Sequence, residues 1–389
     1  MLGALASGRT VLHDPLVSRD TSLMAAALAA LGSPVVQDAA SWSVLGAPVG
    51  TPVAAAHVDV GNAGTVARFV PGVAALRSGT VSIDGDPRVR ERPVAPLLDA
   101  LRALGAAITG DAFPILVRGL DRLRGGTVEV DASTSSQLVS GLLLVGPLCE
   151  SGVVLRHAGP PLPSRPHVDM TVAMMRSFGA SVSVSGDEWT VRPGSYTARV
   201  VDVEPDLSGA APFLAAAAVT GGVVRVPGWP LATNQPAAAL PGLLAAMGCS
   251  FSLGADGLVL RGAGTLAGID ADLRDCPEAA PVLAAVACVA SGPSVLRGIA
   301  HLRLQETDRL AALATELTAL GASVSETADG LSIVPGALRG GSFATYDDHR
   351  LAMAAAVLGL VVPGVVVENV ETVGKTMPDF VDRWRAMLP

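Results

Sequence analysis

One local pattern recurs six times along this chain, and whatever fold it adopts has to accommodate that period. A glycine closes an apolar, helix-like run and a short strand-like run follows: Gly8 in LASGRTVL, Gly79 in LRSGTVSI, Gly152 in CESGVVLR, Gly222 in VTGGVVRV, Gly292 in VASGPSVL and Gly364 in VVPGVVVE. Successive copies stand about 70 residues apart. A second series, Gly32, Gly105, Gly179, Gly248 and Gly321, lies between them, each glycine ending a helix such as PLLDALRALG or AALATELTALG. Self-similarity at a fixed period means one supersecondary unit used repeatedly. In copies two to six a strand and a full helix precede the first-series glycine, whereas copy one has only MLGALAS. The start of the first unit is therefore expected to be missing.

With 389 residues the chain can build two domains with substantial cores, and three units each is the natural division, residues 1–202 and 203–389. Half the residues are apolar but only 3% are aromatic, so Ala, Val, Leu and Gly carry the burial. The longest apolar stretch, Leu351 to Val367, is interrupted by Gly359, Pro363 and Gly364. A spanning helix needs about 20 apolar residues in a row, so no membrane segment is expected. No charged n-region or cleavage signature marks a secretory leader. Cys149, Cys249, Cys276 and Cys288 lack the spacing of a disulfide framework or a metal site and read as small buried hydrophobes in a reducing cytoplasm. A net charge of −8 argues against a nucleic-acid partner.

Within each unit the first helix is apolar nearly all round, as in AAPFLAAAAVTG and APVLAAVACVASG, and belongs in a domain interior. The flanking strands alternate, as in TVEVDAS, VVRVPG and GLSIVPG, so one face meets solvent. The second helices are amphipathic. The fold expected is α/β, with helices inside and sheets outside.

Polar residues cluster where the helices are expected to begin. First-helix starts carry Asn62-Ala63-Gly64-Thr65 with Arg68, then Ser135-Ser136-Gln137, Asp206 with Ser208, Asp275 with Glu278, and Asp347-Asp348-His349-Arg350. Second-helix starts carry Arg19-Asp20-Thr21, then Arg88, Arg90, Glu91 and Arg92, then Ser164, Arg165 and His167, Asn234-Gln235, Gln305-Glu306-Thr307-Asp308-Arg309, and Lys375-Thr376. Capping is one explanation, and Thr21, Asp206, Ser208 and Asp308 are the candidate caps. It does not explain the arginines, because a cation at a helix N-terminus opposes the macrodipole. Arg92, Arg309 and Arg350 at equivalent repeat positions, with Lys375 as a fourth cation, suggest a shared anion. Exposed pairs with Glu91 or Asp348 are the competing reading. Glu278 and Glu306 stand among those cations, where a bound anion raises a carboxylate pKa toward the range of acid/base work. His349 is the other titratable candidate. Taken singly each is more often structural; together they form a constellation.

The strings GNAGTVARF, DGDPRVRERPVAPLLDALRALGA, STSSQLVSGLLL, LPSRPHVDMTVAMM, VEPDLSGAAPFLAAAA, GIAHLRLQETDRLAALATEL, TYDDHRLAMAAAVLGL and VGKTMPDF run from end to end of the chain. Together they resemble the 5-enolpyruvylshikimate-3-phosphate synthase family, and SRDTSLMAAALAALG resembles its actinobacterial branch. The resemblance implies a two-domain inside-out α/β fold of six βαβαββ-like units, the first one incomplete here. It implies transfer of the enolpyruvyl group of phosphoenolpyruvate to the 5-hydroxyl of shikimate 3-phosphate, by addition and then elimination of phosphate, without metal or organic cofactor. It also implies a cytoplasmic monomer with small-molecule partners only. By motif position Gly64, Arg92, Gln137, Arg309, Arg350 and Lys375 would hold phosphoenolpyruvate. Ser135, Ser136, Gln137, Ser164, Glu278 and Gln305 would hold shikimate 3-phosphate. Glu278 would accept the 5-hydroxyl proton, and Glu306 would handle the proton at the methylene carbon with His349 in support.

Some features depart from the family. Its first strand and the helix start P-G-S-K-S-x-x-N-R have no counterpart here, which implies reduced stability and turnover. Gln305 stands where many members have a basic residue, weakening that shikimate contact, and Glu278 replaces a frequent Asp. The UDP-N-acetylglucosamine enolpyruvyl transferases, the neighbouring family, would want a loop cysteine and lack the DGDPRVRERP and YDDHR contexts. A reading from another class is a non-catalytic remnant that binds shikimate phosphate or a protein partner; against it, the remaining cations and carboxylates are all present.

Overall fold

The apolar runs before the first-series glycines are the buried helices of the structure, a computed structural model that describes residues 1–38 and 40–388. They are α1 (Leu2–Leu5), α3 (Gly64–Ala75) and α5 (Gln137–Val145) in a compact unit spanning Met1–Val203. A second unit, from Glu204 onward, contains α7 (Leu207–Thr220), α9 (Ala280–Cys288) and α11 (His349–Gly359). Every residue of α9 is buried, as is every residue of α5 after Gln137. A helix apolar on all sides loses least by lying among other helices. Accordingly α3 packs on α5, and α11 on α9 and α7. Small residues set the approach: a Cβ on Gly141 of α5 would lie 2.5 Å from the Arg68 carbonyl oxygen of α3.

The second helices are α2 (Arg19–Ala30), α4 (Ala95–Ala103), α6 (Arg165–Ser177), α8 (Leu240–Ala246), α10 (Arg309–Ala319) and α12 (Phe380–Met387). Most bury one stripe, as α6 does with Val168, Val172 and Met175.

The first unit holds three four-stranded sheets of one design. Their orders are Val200–Asp202, Arg9–His13, Ser41–Leu45, Val35–Gln37; then Ala56–Asp59, Ser78–Asp84, Ile115–Leu120, Ala107–Thr109; then Gly126–Val130, Val153–His157, Glu188–Val191, Val182–Ser185. In each, the first pair is parallel and the other two pairs are antiparallel. The second unit repeats the design once, as Asp270–Asp272, Ser294–Arg297, Leu331–Val334, Ser323–Glu326. It adds an antiparallel sheet of Val223–Val226, Gly257–Arg261 and Ser250–Gly254, and a parallel pair, Gly341–Phe343 with Val365–Val367.

Four of the parallel pairs join the strand that enters a buried helix to the strand that leaves it: those around α3, α5, α9 and α11. Both strands then end at the same sheet edge, and the two segments that follow emerge side by side. Val200–Asp202 is the exception. It precedes α7 but pairs with Arg9–His13, so the first unit's sheet has its full four strands.

The second-series glycines are all left-handed, with φ of +84° at Gly32, +108° at Gly105, +95° at Gly179, +112° at Gly248 and +108° at Gly321. The first series is less regular than the sequence suggests: in the fourth copy Gly221, not Gly222, takes positive φ, and Gly292 does not. Two expected caps also differ. Ser18 caps α2, and Thr21 is its third residue, its hydroxyl oxygen accepting from the Ser18 N–H (2.9 Å). Ser208 is capped by Asp206 at 2.9 Å and does not itself cap. Asp308 caps α10 through the N–H groups of Leu310 and Ala311.

Gly179 and Gly321 separate strain from crowding. At Gly179 an added Cβ would meet nothing nearer than 3.6 Å, whereas at Gly321 it would sit 2.4 Å from the Ala337 carbonyl oxygen. We expect Gly179→Ala to lower stability by about 1–2 kcal/mol, the price of left-handed φ alone. Gly321→Ala should lower it by roughly twice as much, as measured by urea unfolding.

Candidate active site

In the second unit the α9, α10 and α11 starts and the residues before α12 carry six charged groups in a linked set. Asp348 caps α11, its Oδ1 accepting from the Arg350 N–H at 2.9 Å. The same carboxylate takes the Arg309 guanidinium on two oxygens, Nε to Oδ2 at 2.7 Å and Nη2 to Oδ1 at 3.2 Å. Arg309 Nη2 also donates to Glu306 Oε2 at 2.8 Å, and Lys375 Nζ lies 3.3 Å from Glu306 Oε1. Arg350 Nη1 donates to the Glu278 carbonyl oxygen at 3.3 Å. Asp348 is sealed from solvent, and the Arg309, Glu306 and Lys375 side chains are at least nine-tenths buried. Burial works to lower the Arg309 pKa, but Asp348 and Glu306 more than reverse it, so this cation stays charged.

The competing reading of the arginines offers Asp348 as a partner for one of them. The structure gives the Asp348 side chain to Arg309 and leaves Arg350 bound to it only through the backbone. Lys375 was expected at a helix start. It instead ends the 3₁₀ turn Val370–Lys375, and α12 begins only at Phe380.

Two buried polar atoms in this set lack a hydrogen-bond partner among the described residues: Glu278 Oε1 and His349 Nδ1. Glu278 sits in the 3₁₀ turn Pro277–Ala279 that leads into α9. His349 Nδ1 is 3.6 Å from Asp348 Oδ1, too long for a hydrogen bond. Burial first, and then the Arg350 charge, pushes the imidazole pKa well below 6.5; Glu306 pulls the other way, and Lys375 and Arg309 add smaller downward pushes. His349 is therefore neutral at pH 7. Three cations with orphaned buried polar atoms beside them give this set the donors and acceptors to bind an anion. Gln305, half-buried, caps the 3₁₀ turn Ala300–Leu304 just before Glu306.

In the first unit Gly64 opens α3, and Arg92 lies between the 3₁₀ turn Pro87–Arg90 and α4 rather than at a helix start. Glu91 is not its partner; Glu91 pairs with Arg88 at 2.6 Å, while Arg92 Nη1 donates to the backbone and side-chain oxygens of Asn62 at 2.9 and 3.0 Å. A Cβ on Gly64 would meet Arg92 Nη2 at 2.8 Å, Gln137 Oε1 at 3.0 Å and Arg68 Nη1 at 3.2 Å. Arg68 was noted in the sequence but given no task. One turn along α3, it is buried and reaches Gln137 Oε1 (3.4 Å) and Pro93 O (3.2 Å).

Ser135 and Ser136 are buried before α5, and Ser164, left-handed at φ 51°, precedes α6 with a hydroxyl that does no capping. The parallel strands Gly126–Val130 and Val153–His157 send both segments out of one edge. His157 links those segments, with Nδ1 accepting from the Ala132 N–H (3.2 Å) and Nε2 donating to Pro160 O (2.8 Å). No group of three or more His, Cys, Asp or Glu among the described residues has a metal-ligating arrangement, and no helix is long and apolar enough to cross a membrane.

Because the folded state holds His349 neutral, the unfolded chain binds the extra proton first. Stability is then expected to fall as pH drops below about 6.5, and the His349→Gln variant should lose that part of the slope. Urea midpoints at about pH 7.5 and about pH 5.5 would measure it.

A profile of the EPSP synthase family (3-phosphoshikimate 1-carboxyvinyltransferase) matches residues 1–384. Two solved structures of EPSP synthase from Acinetobacter baumannii are similar over 99% of this chain and 91% of theirs, at 25% identity, with TM-scores of 0.79 and 0.78.

Proposed function

The chain belongs to the EPSP synthase family and transfers the enolpyruvyl group of phosphoenolpyruvate to the 5-hydroxyl of shikimate 3-phosphate; we propose that the two clusters above divide that work. Lys375, Arg309 and Arg350 hold the phosphate and carboxylate of phosphoenolpyruvate, with Arg92, Gln137 and the side-chain-free face of Gly64. Ser135, Ser136, Ser164, Gln137 and Gln305 hold shikimate 3-phosphate through its phosphate and hydroxyls. The boundary between the two domains falls after residue 202.

In the addition step the 5-hydroxyl oxygen bonds to C2 of phosphoenolpyruvate, its proton passes to Glu278, and a proton is added at the methylene carbon from Glu306. The tetrahedral intermediate then returns a proton from that carbon to Glu306 and expels phosphate, restoring the double bond, and the proton held by Glu278 leaves with the phosphate. Glu278 suits the first task because Oε1 is buried without a partner and can accept a hydroxyl donor. Glu306 is held on both oxygens by Arg309 and Lys375, the cations given to the incoming anion, so substrate binding competes for its partners. His349 is neutral and supports Glu306 as a hydrogen-bonding group rather than as a standing charge. The observation that carries the reading is the sealed Arg309–Glu306–Lys375 set beside the unpartnered Glu278 Oε1. Four free, buried cysteines support a cytoplasmic setting, and the family reading favours a monomer.

Phosphate release that requires both substrates, with the enolpyruvyl product identified by mass spectrometry, tests the activity. Gly64→Ala puts a methyl group against Arg92, Gln137 and Arg68, and we expect it to raise the phosphoenolpyruvate KM about tenfold at little change in the shikimate 3-phosphate KM. An unchanged phosphoenolpyruvate KM would remove that trio from the subsite. Glu278→Gln is expected to lower kcat by about 10²-fold or more; full turnover would assign the proton to another group.

A further inference from the structure

Glu316 is a buried carboxylate that this mechanism leaves without a task. It stands on α10 two turns after Arg309, so the two side chains share a face of that helix. Glu316 Oε2 accepts from the Ala344 N–H at 3.0 Å and Oε1 from the Tyr346 hydroxyl at 2.7 Å. Arg309, on the same helix, holds Asp348 by two hydrogen bonds. One helix thus grips residues 344–348 at both ends.

Inside the gripped segment Tyr346 and Asp347 are consecutive left-handed residues, with φ of 51° and 57°. An aromatic residue rarely adopts that conformation, and only surrounding contacts keep it there. From the other side Asn369 Nδ2 donates to Asp347 Oδ1, and the Thr345 hydroxyl lies 3.5 Å from the Asn369 carbonyl oxygen. The reversal immediately precedes Asp348, His349 and Arg350, so any relaxation there re-aims all three.

We propose that Glu316 is a positioning residue for enolpyruvyl transfer: by binding the Ala344 N–H and the Tyr346 hydroxyl it holds the Tyr346–Asp347 reversal that aims Asp348, His349 and Arg350. This rests on the assignment of His349 and Arg350 to the reaction made above. The contact also has a signature that does not depend on turnover. The hydrogen bond to Glu316, helped by burial, raises the Tyr346 phenol above its ordinary pKa. Tyr196, the other of the chain's two tyrosines, is fully buried and pushed far higher. Tyr346 is therefore the first tyrosine to ionise in an alkaline absorbance titration.

The test compares Glu316→Gln, Arg350→Ala and the double variant Glu316→Gln/Tyr346→Gly with the parent. In Glu316→Gln the amide opposes one of the two donors. It is expected to lower kcat/KM for phosphoenolpyruvate by up to about 100-fold, with the shikimate 3-phosphate KM within about twofold. Tyr346 should ionise at lower pH in that variant. Adding Tyr346→Gly should restore part of the activity, because glycine takes the left-handed conformation unaided. Turnover of Glu316→Gln within about twofold of the parent overturns the proposal. So does an unmoved Tyr346 titration, or a fall in melting temperature that glycine does not rescue. Unchanged phosphoenolpyruvate kinetics in Arg350→Ala would sink the assignment of the α11 start, and the proposal with it. An impaired Arg350→Ala beside a normal Glu316→Gln would sink Glu316 alone.

Discussion

When the strand entering a buried helix pairs in parallel with the strand leaving it, the carboxyl ends of both reach one edge of the sheet. Around α3 that pairing brings Gly64 and Arg92 out together, and around α5 it brings out Ser135 and Ser164. Around α9 it does the same for Glu278 and Glu306, and around α11 for Arg350 and Lys375. Open α/β sheets generally bind ligands beyond the carboxyl ends of their strands. Here the rule acts four times, on residues that the chain spaces tens of positions apart. The apolar helices between them need only be small and buried for the edges to be set.

Charge in the second unit is organised by the Arg309 fork on Asp348. Removing one member of such a buried pair leaves an uncompensated charge and typically costs about 3–5 kcal/mol, although the intact pair adds little stability over an apolar replacement. Stability alone is a weak reason to keep six charged or polar groups out of water. Preorganisation is a stronger one: donors already fixed and desolvated act on developing charge without reorienting during the reaction. The unpartnered Glu278 Oε1 and the neutral His349 fit a site whose hydrogen bonding is completed by substrate.

Local features were legible in the sequence, and long-range pairings were not. The helix-ending glycines of the second series could be read because an α-helix that stops and turns back calls for a left-handed residue, and glycine supplies it. Helices without a polar face could be placed in the interior for the same kind of reason. Ser18 and Thr21 stand three residues apart, less than one helical turn, and periodicity does not resolve which of them caps α2. Nothing local tells that Asp348 pairs with Arg309 rather than with its neighbour Arg350, since a cap occupies only one lone pair and leaves the fork open. The pairing of Val200–Asp202 with Arg9–His13 was equally hidden, because the repeat itself points to the strand after α7. Arg68 could have been found: four residues after Gly64 on a helix, it lies on the face Gly64 opens.

With 3% aromatic residues and 43 glycines, this chain brings polar groups together by removing side chains rather than by extending them. Gly141 lets α5 approach the Arg68 carbonyl, which carries Gln137, at the start of α5, up to the Arg68 guanidinium. Gly64 then clears the space that Arg92, Gln137 and Arg68 share. Two like charges face that space, and their repulsion is relieved when an anion enters it, so the arrangement stores a preference for anions in its geometry. A methyl group at Gly64 would press on the Arg92 guanidinium, and one at Gly141 would push α5 away from the Arg68 carbonyl. The specificity of this site is therefore written as much in residues that make no contact as in those that do.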